Sequence, residues 1–257
     1  MKQAGLEPSS ESYVTLMCCF AKHGLIEDII STMDECSSKN ILVADKDLLE
    51  IVYNLSINFH TNHISDILKK IQKGRGFNQD CINVILRLIS RQQDNVAYEI
   101  FKIMPRAVDD NGDYSDTGSF FIKQMVKSSR PISKIIDFCS DMKTQKYNTK
   151  SFEVAYEAAI AYNSLDTLTL LKAMKENNIE IRQHFFWPIL CKTNNENELC
   201  EMVSQIKSDF GVQLSSETIR DYIIPNLNEN SPDKIIELLS QAYIPQSIAA
   251  ISTANGL

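Results

Sequence analysis

The chain has 257 residues and a formal charge of -7, from 26 Lys and Arg against 33 Asp and Glu, with only 8 Gly and 7 Pro. So little glycine, beside abundant Leu, Ile, Lys and Glu, disfavours a β-sandwich or a Gly-rich phosphate-binding α/β enzyme and favours helices joined by short turns. The acidic balance is unlike the basic footprint of most nucleic-acid binders, but does not exclude one, since a stack of helices can hold its positive charge on one face.

In chain order, the first pattern is GLEPSSESYVTLMCCFAKHG at 5–24. Gly5 and Gly24 suit left-handed helix ends and Pro8 cannot continue a helix, which marks a turn, then a helix opening at Tyr13, then a second turn. Residues 10–44 read as one helical pair, with Tyr13, Leu16, Met17 and Phe20 on the first helix and Ile26, Ile29, Ile30 and Met33 on the second. A second pair is expected at 45–80, on Leu48, Ile51, Val52 and Leu55, then Ile64, Ile67, Leu68 and Ile71, with Gly74, Arg75 and Gly76 as its exit turn. A third pair opens at Cys81 and carries Val84, Ile85 and Leu88, then Val96, Ile100 and Phe101. Turn formers at 105–117, including DDNGDYSD, predict a polar, solvated insertion between repeats. Helices resume at 118–126 and 131–142. Further pairs open near Thr149, with a second helix over 165–174, at Gln183 with FFWPIL, and at Ser216; residues 244–257 form one more incomplete helix.

The 7 cysteines lie at 18, 19, 36, 81, 139, 191 and 200, mostly in apolar helical patterns, and read as small buried hydrophobes in a reducing compartment. No apolar run approaches the roughly 18 to 20 residues of a membrane span, and no membrane partner or small-molecule substrate is expected. His60 and His63 are three apart without further ligands at recognisable spacing, and neither Cys18 with Cys19 nor Cys191 with Cys200 has zinc-knuckle spacing. The loop bearing Asp109, Asn111 and Asp113 fails as a calcium loop, because Gly112 comes early and Phe120 stands where the terminal Glu belongs. With no Gly-x-Ser-x-Gly elbow, Gly-Lys-Ser/Thr loop or His-Glu-x-x-His helix, neither catalysis nor a cofactor or metal is expected.

The segment at 5–24, with its Gly5-Leu6-x-Pro8-Ser9 turn, Tyr13 and Gly24, resembles the junction of two pentatricopeptide repeats, each a pair of antiparallel helices of about 35 residues. The exits at 40–44, 178–182 and 211–215 suit that pattern better than the tetratricopeptide one. DKDLLEIVYNLS at 45–56, GSFFIKQMV at 118–126, IRQHFFWPIL at 181–190 and ETIRDYIIPNL at 217–227 are similar to the leucine-rich pentatricopeptide repeat family of animal mitochondria, over nearly the whole chain. The resemblance implies a right-handed α-solenoid, here a single segment of about seven helical pairs spanning 1–257. Residues 1–4 align with the end of a second helix, so the segment is expected to be a fragment truncated at both ends, with any targeting sequence upstream. The family implies single-stranded RNA, specifically mitochondrial messenger RNA, as ligand, a small RRM-domain protein as partner, and a mitochondrial matrix location with a possible nuclear pool. Its roles are messenger stability, polyadenylation and translation.

The family's base-reading positions fall on Val14 with Ala44, Leu49 with Asp80, Glu153 with Arg182 and Trp187 with Ser215, and Ile85 and Arg220 are further first-helix candidates. Val, Leu and Ile offer no hydrogen bonds to base edges, so low base specificity is expected. Trp187 can either stack on a base or pack between adjacent repeats. The Lys expected near the end of each first helix is matched by Lys22, whereas the other units offer Ile57, Gln93, Ala161 and Asn195. Basic clusters at Lys69, Lys70, Lys73 and Arg75, at Arg87 and Arg91, and at Lys123, Lys127 and Arg130 read either as a phosphate track or as solvated helix faces. Arg87 and Arg91 share one helix face and are the stronger phosphate candidates. An RNA groove and a protein-docking scaffold both fit this sequence.

Overall fold

The computed structural model describes residues 8–108, 110, 112–162, 166–193, 195–229 and 231–256. The expected Gly5–Leu6 turn, the alignment of residues 1–4, Asp109 and Asn111 of the acidic loop, the Leu165 helix start and the terminal Leu257 lie outside the described residues. The fold is all-α and built from successive helix pairs, as expected. Among the described residues the one β pairing is an isolated antiparallel bridge between Val108 and Tyr114.

The chain divides into two compact units, Met1–Pro131 with Asp141–Ser151, and Ile132–Ser140 with Phe152–Leu257. Unit 1 holds α1 (Ser10–His23), α2 (Ile26–Ser38), α3 (Asp45–Ile57), α4 (Ile64–Leu68), α5 (Phe77–Ser90), α6 (Asp94–Ile103) and α7 (Ser119–Lys127), and takes the end of α8 (Ile132–Thr144). Unit 2 holds the start of α8, most of α9 (Ser151–Tyr162), and then α10 (Thr167–Glu176), α11 (Trp187–Leu190), α12 (Glu196–Gln205), α13 (Ser216–Tyr222), α14 (Pro232–Gln241) and α15 (Gln246–Gly256).

Local chemistry sets the helix ends. Ser9 caps α1 by accepting the Ser12 N–H at 3.3 Å. Gly24 ends it at φ 69, where an added Cβ would lie 2.6 Å from the His60 ring. Within unit 1 the first helices stack in sequence, α1 on α3, α3 on α5 and α5 on α7, while α6 covers α5 and α4. Leu49, Ile51, Val52 and Leu55 of α3 are fully buried between these neighbours, each side chain contributing about 1.5–3 kcal/mol by transfer from water. In unit 2, α11 and α15 flank α13, and α14 lies against α12 and α15.

Four elements depart from the sequence expectation. The third pair starts at Phe77, four residues ahead of Cys81, because Gly76 at φ 87 is itself the residue before the helix. Only five residues of the expected second helix at 64–71 are helical. The first helix expected from Gln183 is a 3-10 turn, Gln183–Phe185, followed by α11 with Pro188 in its first turn, where the missing proline N–H does no harm. Finally, the described residues of the insertion at 105–117 are mostly exposed but anchored. Arg106 donates to the carbonyls of Ser115 (3.1 Å) and Lys146 (2.6 Å), with its guanidinium 4.7 Å from the Tyr114 ring centre. Thr117 N–H donates to the Tyr147 carbonyl at 2.8 Å, and Asn148, 1% exposed, donates to Thr117 O at 3.0 Å.

Candidate nucleic-acid interface

Residues three or four apart on a helix share a face. That spacing groups Thr15, Cys18, Cys19 and Lys22 on α1, Glu50 and Tyr53 on α3, Arg87 and Ser90 on α5 with Arg91 just past its end as the C-cap, and Gln124 and Lys127 on α7 with Ser128 as its C-cap. Contacts join these groups across unit 1. Arg87 donates to both Glu50 carboxylate oxygens, at 2.7 and 3.1 Å, and lies 3.7 Å above the Tyr53 ring centre. Gln124 Nε2 donates to Ser90 Oγ at 3.5 Å and to Ser128 Oγ at 3.0 Å. The Cys18 thiol is pushed up to about 11 by burial first and by the Glu50 charge second, and α1 packs directly on α3. Hydrogen bonding to Glu50 holds Arg87 above the ordinary guanidinium value. Lys22, Arg91 and Lys127 are exposed and have no ion pair among the described residues.

The expected base-reading positions do not all reach this face. Leu49 and Ile85 are 0% exposed and present nothing to a ligand. Each helical residue turns about 100°, so the next positions, Glu50 and Leu86, emerge partly instead. Val14 is half-buried while Thr15, one residue on, is exposed. Ala44 precedes α3, half-buried, and its N–H donates to Asp47 Oδ2 at 3.3 Å. Asp80 lies in the first turn of α5, inside the third helix pair, and does not close the second.

In unit 2, Glu153 is half-buried, and its negative charge raises the Cys139 thiol after burial has done so. Arg182 pairs with Glu180 at 2.8 Å and Arg220 with Asp221 at 2.6 Å. Trp187 packs between neighbouring first helices: its Nε1 donates to Thr218 Oγ1 at 3.1 Å, and its ring lies 5.2 Å from and 11° off parallel to Tyr222. Ser215 caps α13 by accepting Thr218 N–H, and its own N–H donates to Gln183 Oε1 at 2.9 Å. Both residues therefore have structural work inside unit 2.

The basic clusters separate in the same way. Arg130 is buried against Asp94 and leaves the proposed track, since a guanidinium held inside cannot meet phosphate. Lys69 pairs with Asp66 at 3.0 Å and Lys70 with Asp34 at 3.6 Å. The sequence reading missed Glu50, Tyr53, Ser90 and Gln124. The 37-residue separation of Glu50 and Arg87, close to one repeat, was the available signal.

No protein-family model matches the chain. It is 28% identical over 203 residues, 77% of its length, to the leucine-rich PPR motif-containing mitochondrial protein of Xenopus tropicalis. Identity is again 28% to the proteins of that name from Mus musculus, over 70% of the chain, and Rattus norvegicus, over 57%. The matches span only 15%, 13% and 11% of those proteins, respectively. All three names specify mitochondria, in agreement with the mitochondrial part of the location the resemblance implies. The chain is thus similar, over most of its length, to a short stretch of the leucine-rich PPR motif-containing proteins of vertebrate mitochondria, the resemblance its own segments carry.

Proposed function

We propose that this chain is a non-catalytic, single-stranded RNA-binding segment with low base specificity, and that the ligand is mitochondrial messenger RNA. The observation that carries the reading is the row of exposed cations Lys22, Arg87, Arg91 and Lys127 on the first-helix face of unit 1, with the Tyr53 ring beneath Arg87. Low specificity follows from the burial of Leu49 and Ile85, which leaves backbone contact as the main source of affinity. A role in messenger stability, polyadenylation and translation, alongside a small RRM-domain protein, is the finer form of this proposal and comes from the family resemblance.

The test is binding of labelled unstructured RNA across a salt series, with and without an RRM-domain protein. Four phosphate contacts give a slope of about -3 in log K against log salt, and Arg87→Gln with Arg91→Gln lowers its magnitude by about 1.4. Unchanged affinity and slope in the double variant would remove these residues from the track. Binding seen only with the RRM-domain protein would make the segment a docking scaffold.

A further inference from the structure

Of the second helices in unit 1, α2 has 13 residues and α6 has 10, whereas α4 stops after 5. Its sequence would continue, since Ile71 follows Ile64, Ile67 and Leu68 at helical spacing. The chain leaves the helix because the Asp45 carboxylate takes the Gln72 and Gly74 N–H groups at 2.9 and 2.7 Å, and Lys73 turns to φ 59. A groove of about 580 Å³ remains between α4 and α6. It is lined by the buried Ile64, Leu68, Ile71 and Val96, by half-buried Ile103 and by exposed Lys73.

We infer that this groove receives an acidic amphipathic α-helix from a partner protein. Helical shape follows from the deficit: α4 lacks five to eight residues relative to its neighbours, roughly 8–12 Å of helix at 1.5 Å per residue. A helix laid along α6 fills that place and presents apolar residues at i, i+4 and i+7 to the apolar lining. Acidic character follows from charge. On a molecule of net charge -7, the segment 69–75, KKIQKGR, carries four cations and no acid. Asp66 and Asp34 answer Lys69 and Lys70, while Lys73 and Arg75 have no ion pair among the described residues. Glu99, the acid lining the groove, is engaged by Lys102 at 2.6 Å. An aliphatic lining without an aromatic ring offers no base-stacking surface, so nucleic acid fits this site poorly. The inference is independent of the RNA reading, which concerns the opposite, first-helix side of the pairs.

The test is a displayed library of helical peptides with Leu fixed at i, i+4, i+7 and i+11 and the flanking positions free among Glu, Lys, Gln and Ala, sorted on the full chain. Enrichment of Glu at the flanks is expected. Ile103→Glu should weaken the enriched peptides at least about tenfold and Lys73→Glu at least about threefold, the second with growing effect at low salt. Lys73 is fully outside the core, so its variant stays informative even if Ile103→Glu unfolds the chain. Arg87→Gln should leave peptide binding unchanged. The inference is overturned if Glu gains no preference over Lys, if Lys73→Glu leaves affinity intact, or if unstructured RNA displaces the peptide. It is also overturned if the chain self-associates through this groove and Lys73→Glu abolishes the dimer.

Discussion

Asp94, with no exposed side-chain surface, accepts Arg130 Nε at 3.0 Å and Nη2 at 2.7 Å. Removing one partner from such a pair strands the other charge in low dielectric, so Asp94→Ala should cost about 3–5 kcal/mol in urea unfolding, and Asp94→Leu with Arg130→Met should recover most of it. Glu50 and Arg87 make a bidentate pair too, yet their side chains are 38% and 45% exposed. Solvent screening limits that pair to under about 1 kcal/mol. Glu50→Gln should therefore leave unfolding nearly unchanged and tighten RNA binding, because it releases a guanidinium and removes a carboxylate from the phosphate path. Weaker RNA binding in that variant would show that the carboxylate orients Arg87 productively. Thiols give a third residue-scale expectation. Burial, with the charges of Asp80 and Asp45 behind it, pushes Cys81 up to about 12 from an ordinary 9.0. A thiol raised on folding contributes stability that is complete below the unfolded value and lost as pH rises through the folded one. Urea midpoints should accordingly fall between about pH 9 and 12, and Cys81→Ala should flatten the fall.

Gly118, before α7, sits at φ +85, and a Cβ there would lie 2.7 Å from Phe101 Cζ. Strained backbone and overpacking add, so Gly118→Ala should lower stability by about 2–4 kcal/mol, read as a fall in melting temperature. That glycine was legible as the start of a helix, and so were α1, α2, α3 and α7, whose apolar spacing and flanking turns lie within a few residues of one another. What the sequence hid depends on distant partners. α4 ends early because Asp45, 27 residues before Gln72, competes for its backbone. Arg130 read as a surface cation because nothing nearby reveals Asp94, 36 residues away. The turn Gly74–Arg75–Gly76 was visible, but its spacing alone did not say that Gly76 already belongs to the entry of α5. At the candidate site the first helices were legible, α5 with a four-residue shift of its start, and which of their residues face outward was not. A one-residue offset is only 100° of turn, yet it is the difference between buried Leu49 and half-exposed Glu50.

At the scale of the molecule, cations divide into those answered by acids and those left exposed. In unit 2, Lys172, Arg182, Arg220 and Lys234 are each held in an ion pair, and the aromatic pair Trp187–Tyr222 is closed by its own stacking and by Thr218. In unit 1, Lys22, Arg91 and Lys127 stand exposed on the face that also holds Arg87, so a net charge of -7 still leaves one cationic row. A polyanion follows local potential more than net charge, because screening confines each group's reach to about 8–10 Å at physiological salt. Hydrogen exchange of the full chain, with and without unstructured RNA, should therefore slow in peptides covering 83–91 and 120–128 and remain unchanged over 183–226. Protection in 183–226 alone would instead assign the RNA contact to the aromatic pair of unit 2 and leave the cationic row as a solvated helix face.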